Sequence, residues 1–446
     1  MYARIVLVVF SAGHLVGTIA GGFWFDHFDS HLLLALAMLG LAVVGAFIPW
    51  CPMWGILILN FVLLGCMTGC FETGGNAYCV NLWGKESGPY LQAIHFVFAI
   101  GAAVAPLIAA PFLMPQQSFV STTLNESSTI SPTDLPFLTN STFPYRSQYD
   151  ISCAHCDIGA NDVIPVHESN NSFFSTEGNN TLQLAPSLQI WIPYTILSLY
   201  NLLVSLPFFC LFVIEGRRVN LPEKERENAS DPHNVVFVEK NQKYFVFSLL
   251  ILLGTFVFVY YGHETIYANF LYTFAISSGL GFTPELAAYL NAAYWGSIAG
   301  FRFLSIFCAT KVTPKTLLTV ASIGMSLSSA ALALFGNDVA EVLWAATVLL
   351  GASVASVLPA CISWTEGYIK LTGKAMAVIT GSAACADISL PWLMGHLFSV
   401  FGMEILMYTM LAVSLATAVI YFGMQVFATK YGNRFGDETS QKTSNV

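Results

Sequence analysis

The sequence predicts an all-α polytopic membrane protein, and three observations carry that prediction. Of 446 residues, 55% are hydrophobic and 10% charged, against ~25% charged in an ordinary soluble domain. The mean hydropathy is +0.65. Apolar runs of about 20 residues recur along the chain, each long enough to cross a hydrocarbon layer of ~30 Å. A helix that stays apolar on every face for that length is not a soluble surface helix. This excludes a soluble enzyme, and no nucleotide-binding P-loop or metalloprotease motif is visible, which speaks against an ATP-driven pump. Nucleic acid is excluded as a partner, because it needs a basic face and the net charge is −9.

Hydropathy places eleven spans, at 4–24, 32–50, 54–80, 89–112, 188–214, 244–272, 285–308, 316–336, 339–365, 374–400 and 403–428. The breaks between them are polar or turn-forming, such as "DHFDSH", "GKESGP", "KVTPK", "GND" and "KLTGK". Lysine and arginine concentrate at cytosolic helix ends. With the loop at 215–243 in the cytosol, alternation puts 15 of the 17 Lys and Arg on that side, leaving only Arg4 and Arg146 opposite. The long loop from Met114 to Ser187 then faces outward or into a lumen. It holds seven acids, one base and sequons at Asn125, Asn140, Asn170 and Asn179, which predicts glycosylation there. A fifth sequon, Asn228, falls on the cytosolic side and is expected to stay unused. Of the ten cysteines, eight sit in or beside the apolar runs as small hydrophobes. Cys153 and Cys156 lie in the outer loop, where a disulfide and free thiols both remain open.

The chain repeats itself. "GTIAGGFWFDHF" from Gly17 pairs with "GSIAGFRFLSIF" from Gly296, and "LLGCMTGC" from Leu63 with "LLGASVAS" from Leu349. "GAAVAPL" from Gly101 pairs with "CADISLPWL" from Cys385 when Pro106 is set on Pro391. The offsets, 279, 286 and 285 residues, are nearly constant. Two parallel halves of six helices resemble the plan of the major facilitator superfamily. In that register the sixth span has no N-terminal mate, so the chain is expected to lack helix 1 of twelve. The expected organisation is an N-terminal bundle at 1–112 (helices 2–5), a glycosylated loop at 113–187 and helix 6 at 188–214. A cytosolic linker at 215–243, a six-helix bundle at 244–429 and a tail at 430–446 complete it.

Polar residues at membrane depth face a water-filled cavity or bond one another, since lipid cannot satisfy them. Glu72 and Asn76 share a face four residues apart, and Gln92 and His95 share one three apart. "YYGHETIYANF" concentrates His263, Glu264, Tyr267 and Asn269, while Asn291 and Asp387 follow later. For His14, Asn60 and Asn201 a bond to a neighbouring helix is the simpler reading. Glu72, Glu264 and Asp387 have no base nearby in sequence, so a salt-bridge explanation for all three runs short of partners. On the family resemblance given next, these three are the implied candidates for cation coupling, with Asn76, Gln92, His95, His263, Tyr267, Asn269 and Asn291 as the implied substrate contacts. Trp364, Trp392, Tyr260 and Tyr267 are aromatic candidates for stacking on a sugar ring. Glu366 and Lys370, four apart, suit an ion pair or a gate contact.

"ETGGNAYCVNLWG", "GPYLQAIHFVFAIGAAVAPL", "YYGHETIYANFLYTFA" and "AAYLNAAYWGSIAGFRFLSI" resemble the helix 4, 5, 7 and 8 patterns of the sodium-dependent glucose transporter branch of the major facilitator superfamily. Asp26, in "GFWFD", resembles the Gly-x-x-x-Asp start of that superfamily's gating loop, although His27 and His31 stand where bases are usual; Arg302 keeps one expected base in the second half. The resemblance implies sodium-coupled hexose uptake by alternating access at a plasma membrane, the apical one expected, with sodium as the co-transported ion and no other cofactor. A proton-coupled or facilitative carrier of another small neutral solute, and a non-transporting truncated form, remain open.

Overall fold

The computed structural model describes residues 2–113, 191–219 and 240–430. The four outer-loop sequons, Asn228, Cys153 and Cys156 lie outside the described residues. With no water to take up backbone N–H and C=O groups, a spanning chain must satisfy them internally, and the helix does so within one segment. Among the described residues twelve α-helices result: α1 (Tyr2–Phe25), α2 (Ser30–Phe47), α3 (Trp54–Trp83), α4 (Ser87–Leu113), α5 (Trp191–Val219), α6 (Lys240–Ser277), α7 (Pro284–Cys308), α8 (Pro314–Phe335), α9 (Ala340–Val354), α10 (Val357–Glu366), α11 (Gly373–Phe401) and α12 (Ile405–Thr429). With α9 and α10 taken as two pieces of one span, the described helices fall where hydropathy placed eleven spans. Nine apolar stretches among the described residues are long enough to cross a membrane, one of them covering both α3 and α4; α7, which carries Asn291 and the buried Arg302, is not among them.

The helix starts follow from local chemistry. Thr283, Thr313 and Thr372 cap α7, α8 and α11, accepting from the backbone N–H of Leu286, Thr316 and Ala375. Pro284 and Pro314 follow two of these caps, where the missing N–H is no loss. Asp29 caps α2 by accepting from Leu32 N–H at 3.0 Å. Gly402 ends α11 at φ 82°, a conformation that glycine adopts without strain.

The break between α9 and α10 has an identifiable cause. Pro359 has no N–H to give to the carbonyl of Ala355, four residues back, and its ring crowds that carbonyl. The helix opens at Ala355 and Ser356. Pro391 stands inside α11 in the same relation to Asp387, whose carbonyl likewise loses its helical donor.

The helices pack as two groups. In one, α1 lies along α3, α2 lies on α3 and α5, and α4 touches α3 and α5. In the other, α6 contacts α7, α11 and α12, α8 contacts α9, α10 and α12, and α7 contacts α9. The groups meet where α11 lies on α1 and α3, and where α4 lies on α7 and α10. The hydrogen bonds described between them sit towards the end that carries Asp26, 84–86, 309–313 and 367–372, hereafter the basic end. They are Asp26 to Gly373 and Lys374, Thr73 to Thr380 (2.9 Å) and Gln92 to Ser356 (3.4 Å). Towards the opposite end, seven of the eight residues 97–104 of α4 are exposed, so that helix lacks neighbours around most of its circumference there.

Glycine sets the closest approach. On α1, Gly13, Gly17 and Gly21 stand against the backbone of Val62, Cys66 and Cys70. From the α3 side, Gly65 and Gly69 stand against Phe10, His14 and Thr18. Small residues at such spacing let backbones touch where lipid gives no hydrophobic drive for helix association. A Cβ on Gly17 would fall on the Cys66 carbonyl, whereas one on Gly395 meets nothing within 4 Å. Gly17→Leu is therefore expected to destabilise the protein by about 1–3 kcal/mol, read as a lowered thermal midpoint in nanodiscs, and Gly395→Ala to leave it unchanged or slightly raised.

Candidate functional site

The glycine contact between α1 and α3 brings His14 against Glu72. The imidazole Nε2 of His14 lies 2.8 Å from Glu72 Oε2. Here the sequence reading is corrected in detail: Glu72 has a basic partner, supplied not by lysine or arginine but by a histidine on the adjoining helix, 58 residues away. Asp387, on α11 in the other helix group, is within electrostatic range of both His14 and Glu72. Its Oδ1 accepts from the Thr265 hydroxyl of α6 at 3.4 Å. Asp387 is exposed, and the Glu72 side chain is 37% exposed, so neither carboxylate is sealed within the packing at the contact of α1, α3 and α11. Since Pro391 gives no N–H, Asp387 presents a spare backbone carbonyl beside its carboxylate.

Glu264 is placed differently, and the expectation that it lacked a base is corrected. Its carboxylate is buried with Arg302 of α7, Nη2 to Oε1 being 3.5 Å, and accepts from the Tyr260 hydroxyl at 2.7 Å. Arg302 in turn donates Nε–H to the Ala355 carbonyl at 3.1 Å, the group that Pro359 releases. The Tyr260 hydroxyl also lies 3.0 Å from the carbonyl of Val354. The helix break frees the Ala355 carbonyl, Arg302 fills it and Glu264 neutralises Arg302, while the single Tyr260 proton is shared between the Glu264 carboxylate and the Val354 carbonyl. The sequence concealed this because the partners are joined only through packing of α6, α7 and α9. The pairing also changes the reading of Arg302 as a gate base, since its side chain is 6% exposed inside one helix group.

Of the expected substrate contacts, several are buried with an unspent polar atom: Asn76 Oδ1, Gln92 Oε1, His95 Nε2 and Asn291 Oδ1. Their amide or helix bonds are partial. Asn76 Nδ2 donates to the Glu72 carbonyl at 3.0 Å, and Gln92 Nε2 to the Ser356 carbonyl at 3.4 Å. A buried polar atom left unpaired costs about 1–3 kcal/mol, so these positions suit water or a hydroxyl-rich solute. His95 lies in the joint field of Arg302 and Glu72, between the two clusters. Trp364 Nε1 and Tyr294 Oη are similarly unspent.

Tyr267 and His263 do not fit the expected contact role. Tyr267 is fully buried and bonds Thr347 at 2.6 Å, and fully buried His263 turns to Ser329 of α8 at 3.2 Å. Both brace the second helix group internally. Asn269 is exposed and stands apart from these bonds. Of the stacking candidates, Tyr260 belongs to the Glu264 network and Trp392 is 77% exposed. Glu366 is buried and accepts from Leu371 N–H at 2.8 Å, while Lys370 is exposed, which corrects the expected pairing of the two with each other. Sequence reasoning missed Thr265, Thr73 and Thr380; single hydroxyls in apolar helices give no signal beyond their position next to Glu264 and Glu72.

At the basic end, Asp26, in the turn just after α1, reaches across to α11. Its Oδ1 accepts from Gly373 N–H at 2.6 Å and its Oδ2 from Lys374 N–H at 3.2 Å. These are open donors of a helix N-terminus, where a carboxylate is favoured by geometry and by the helix dipole. The approach needs two glycines: a Cβ on Gly22 or Gly373 would strike the facing backbone. Lys374 Nζ sits 5.3 Å from the centre of the Phe23 ring.

Long apolar helices in two packed groups among the described residues, with acidic and orphaned polar side chains near their contact, fit a carrier of the major facilitator superfamily rather than an enzyme. Solved structures agree on the fold. FucP, a major facilitator superfamily transporter in the outward conformation, matches with a TM-score of 0.64 at 15% identity, over 95% of this chain and 89% of its own. The proton:xylose symporter XylE bound to 6-bromo-6-deoxy-D-glucose gives 0.61 at 11% identity, over 94% and 85%. No family model matches the chain. Sodium-dependent glucose transporter 1 of Xenopus laevis is 31% identical over 431 residues, 94% of this chain and 73% of that protein. Sodium-dependent glucose transporter 1A of Mus musculus is 30% identical over 426 residues, 95% and 88%. The chain belongs to the sodium-dependent glucose transporter 1 family.

The buried network makes a prediction that separates it from the accessible acids. Arg302→Met strands the Glu264 charge and is expected to cost about 3–5 kcal/mol. The double variant Arg302→Met with Glu264→Gln recovers most of that loss. Thermal denaturation of the single and double variants in nanodiscs measures the coupling.

Proposed function

We propose that this protein takes up glucose or a closely related hexose together with a sodium ion, by alternating access, at the apical plasma membrane. One observation carries the coupling: two incompletely buried carboxylates, Glu72 and Asp387, come from opposite helix groups and stand in one electrostatic neighbourhood where those groups meet. A hard cation favours oxygen ligands. Asp387 offers a carboxylate and the carbonyl freed by Pro391, with the Thr265 hydroxyl beside it and Glu72 opposite. An ion held there draws α3 and α11 together, so its binding favours one arrangement of the halves over the other. Glu264, first grouped with these acids, serves on this reading as the internal brace for Arg302 and the helix break.

The sugar is neutral, so it calls for paired donors and acceptors without net charge. Asn76, Gln92, His95 and Asn291 supply unspent polar atoms on α3, α4 and α7. Family membership and the names of the relatives support a hexose. The bonds of Asp26 to α11 close the basic end, taken as the cytosolic side, and act as its latch; the exposed stretch of α4 supports an outward-facing arrangement.

The His14–Glu72 contact favours a second reading, in which a proton rather than sodium is the coupling ion. An imidazole at 2.8 Å from a carboxylate is equipped to exchange a proton with it. Uptake of labelled glucose into proteoliposomes, driven by a sodium gradient at constant pH or by a pH gradient without sodium, separates the two. Under sodium coupling, Glu72→Gln and Asp387→Asn are each expected to lower sodium-stimulated uptake by about tenfold or more, as for loss of one charged ligand. Unchanged sodium stimulation in both variants removes these acids from the mechanism. Asp26→Asn is expected to weaken the latch, raising alkylation of a cysteine placed at the basic-end contact of α1 and α11.

A further inference from the structure

A second polar cluster lies at the basic end, outside the transport site. Asp29 caps α2, His31 follows in its first turn, and Glu215 comes from α5. The candidate ligand atoms of all three lie within 4.8 Å of one another. His31 Nδ1 stands 2.8 Å from Glu215 Oε2 and 3.8 Å from Asp29 Oδ1. Nδ1 is buried, and although Glu215 approaches it to ion-pair distance the contact does not count as a hydrogen bond. Two ligands of a common ion stand in this way, close together without bonding each other. With ligand bonds near 2.0–2.1 Å, tetrahedral neighbours lie about 3.3 Å apart, and the two measured separations fall on either side of that.

The rest of the imidazole is already fixed. Its Nε2 lies 2.9 Å from the Tyr78 hydroxyl of α3, and the two rings pack edge to face at 5.1 Å. A metal-binding histidine characteristically has its distal nitrogen held by such a partner, which orients the ring and leaves the proximal lone pair free. When Nε2–H donates to Tyr78, the Nδ1 lone pair faces two carboxylates, an arrangement that a proton or a metal cation on Nδ1 relieves.

We propose that Asp29, His31 and Glu215 form a binding site for a divalent transition ion, zinc being the probe of choice. One nitrogen and two carboxylate oxygens suit that borderline ion better than magnesium, which demands an octahedral oxygen shell. The site joins the α1–α2 turn to the end of α5. Asp26, which holds the first turn of α11, lies three residues before Asp29 in that turn. The ion therefore stiffens the segment that carries the cross-group contact, which makes this a regulatory site distinct from the transport acids.

The test is equilibrium binding of radioactive zinc to the purified chain in nanodiscs, which does not depend on transport or on the identity of the sugar. The expected result is one saturable site, weakened at least tenfold by His31→Ala and by Glu215→Gln, and about 10–100-fold by Tyr78→Phe, with each variant's thermal midpoint in the absence of zinc recorded as the check on folding. Glu215→Gln keeps the side-chain volume at an exposed position, so at least that variant reports on binding in a folded protein. Zinc binding of equal strength in the wild type and in folded Glu215→Gln and Tyr78→Phe, or no saturable binding to the wild type, overturns the proposal.

Discussion

The close approach of α1 to its neighbours is the constraint on which the rest of this molecule depends. Glycines at 13, 17 and 21 meet the α3 backbone, and Gly22 meets Gly373 of α11. One helix is thereby held within backbone contact of both helix groups. Without side chains to space them, α1 and α3 bring His14 to Glu72, and α1 and α11 bring Asp26 to the start of α11. Lipid tails are as apolar as leucine, so helix association in the membrane rests on such packing and on hydrogen bonds. The polar chemistry of the chain is therefore placed by its smallest residues.

Two prolines divide the remaining polar work. Pro359 and Pro391 each deprive a carbonyl four residues earlier of its helical donor. The first carbonyl, of Ala355, is filled at once by Arg302, and the charge so introduced is met by Glu264. That site is complete in itself and has nothing left to offer an ion. The second belongs to Asp387, an acid that reaches solvent and whose partners are a hydroxyl and the field of His14 and Glu72. The same backbone defect thus yields a brace in one place and an open oxygen cluster in the other.

The contrast explains what the sequence could and could not reveal. The spans were legible because hydropathy is a local property, and all eleven stand within a few residues of their expected bounds. The repeat is read from the sequence alone, in the nearly constant offset of Gly17 from Gly296 and of Pro106 from Pro391. Pairings were not. Arg302 lies 38 residues beyond Glu264 and reads as a loop-end base until α7 is seen to turn it inward. His14 reads as an isolated polar residue until the glycine register with α3 is known. Glu366 and Lys370, at a spacing that favours a helical pair, are parted because α10 ends at Glu366 and Lys370 lies beyond its last turn. Tyr267 and His263 belong to a run dense in polar residues, yet the helix turns that face to Thr347 and Ser329.

The bonds of Asp26 to Gly373 and Lys374 differ in kind from the salt bridge of Glu264 with Arg302, and the difference bears on how a transport cycle turns over. Asp26 and Lys374 are exposed, so in the proposed alternating-access cycle water would replace each partner as the halves part and little enthalpy would be forfeited. The Glu264 pair has no such substitute within reach and must travel intact. A carrier with its reversible fastenings at the wet margin and its irreplaceable ones inside a single half is free to move as two stiff bodies, with the friction of each stroke confined to the seam.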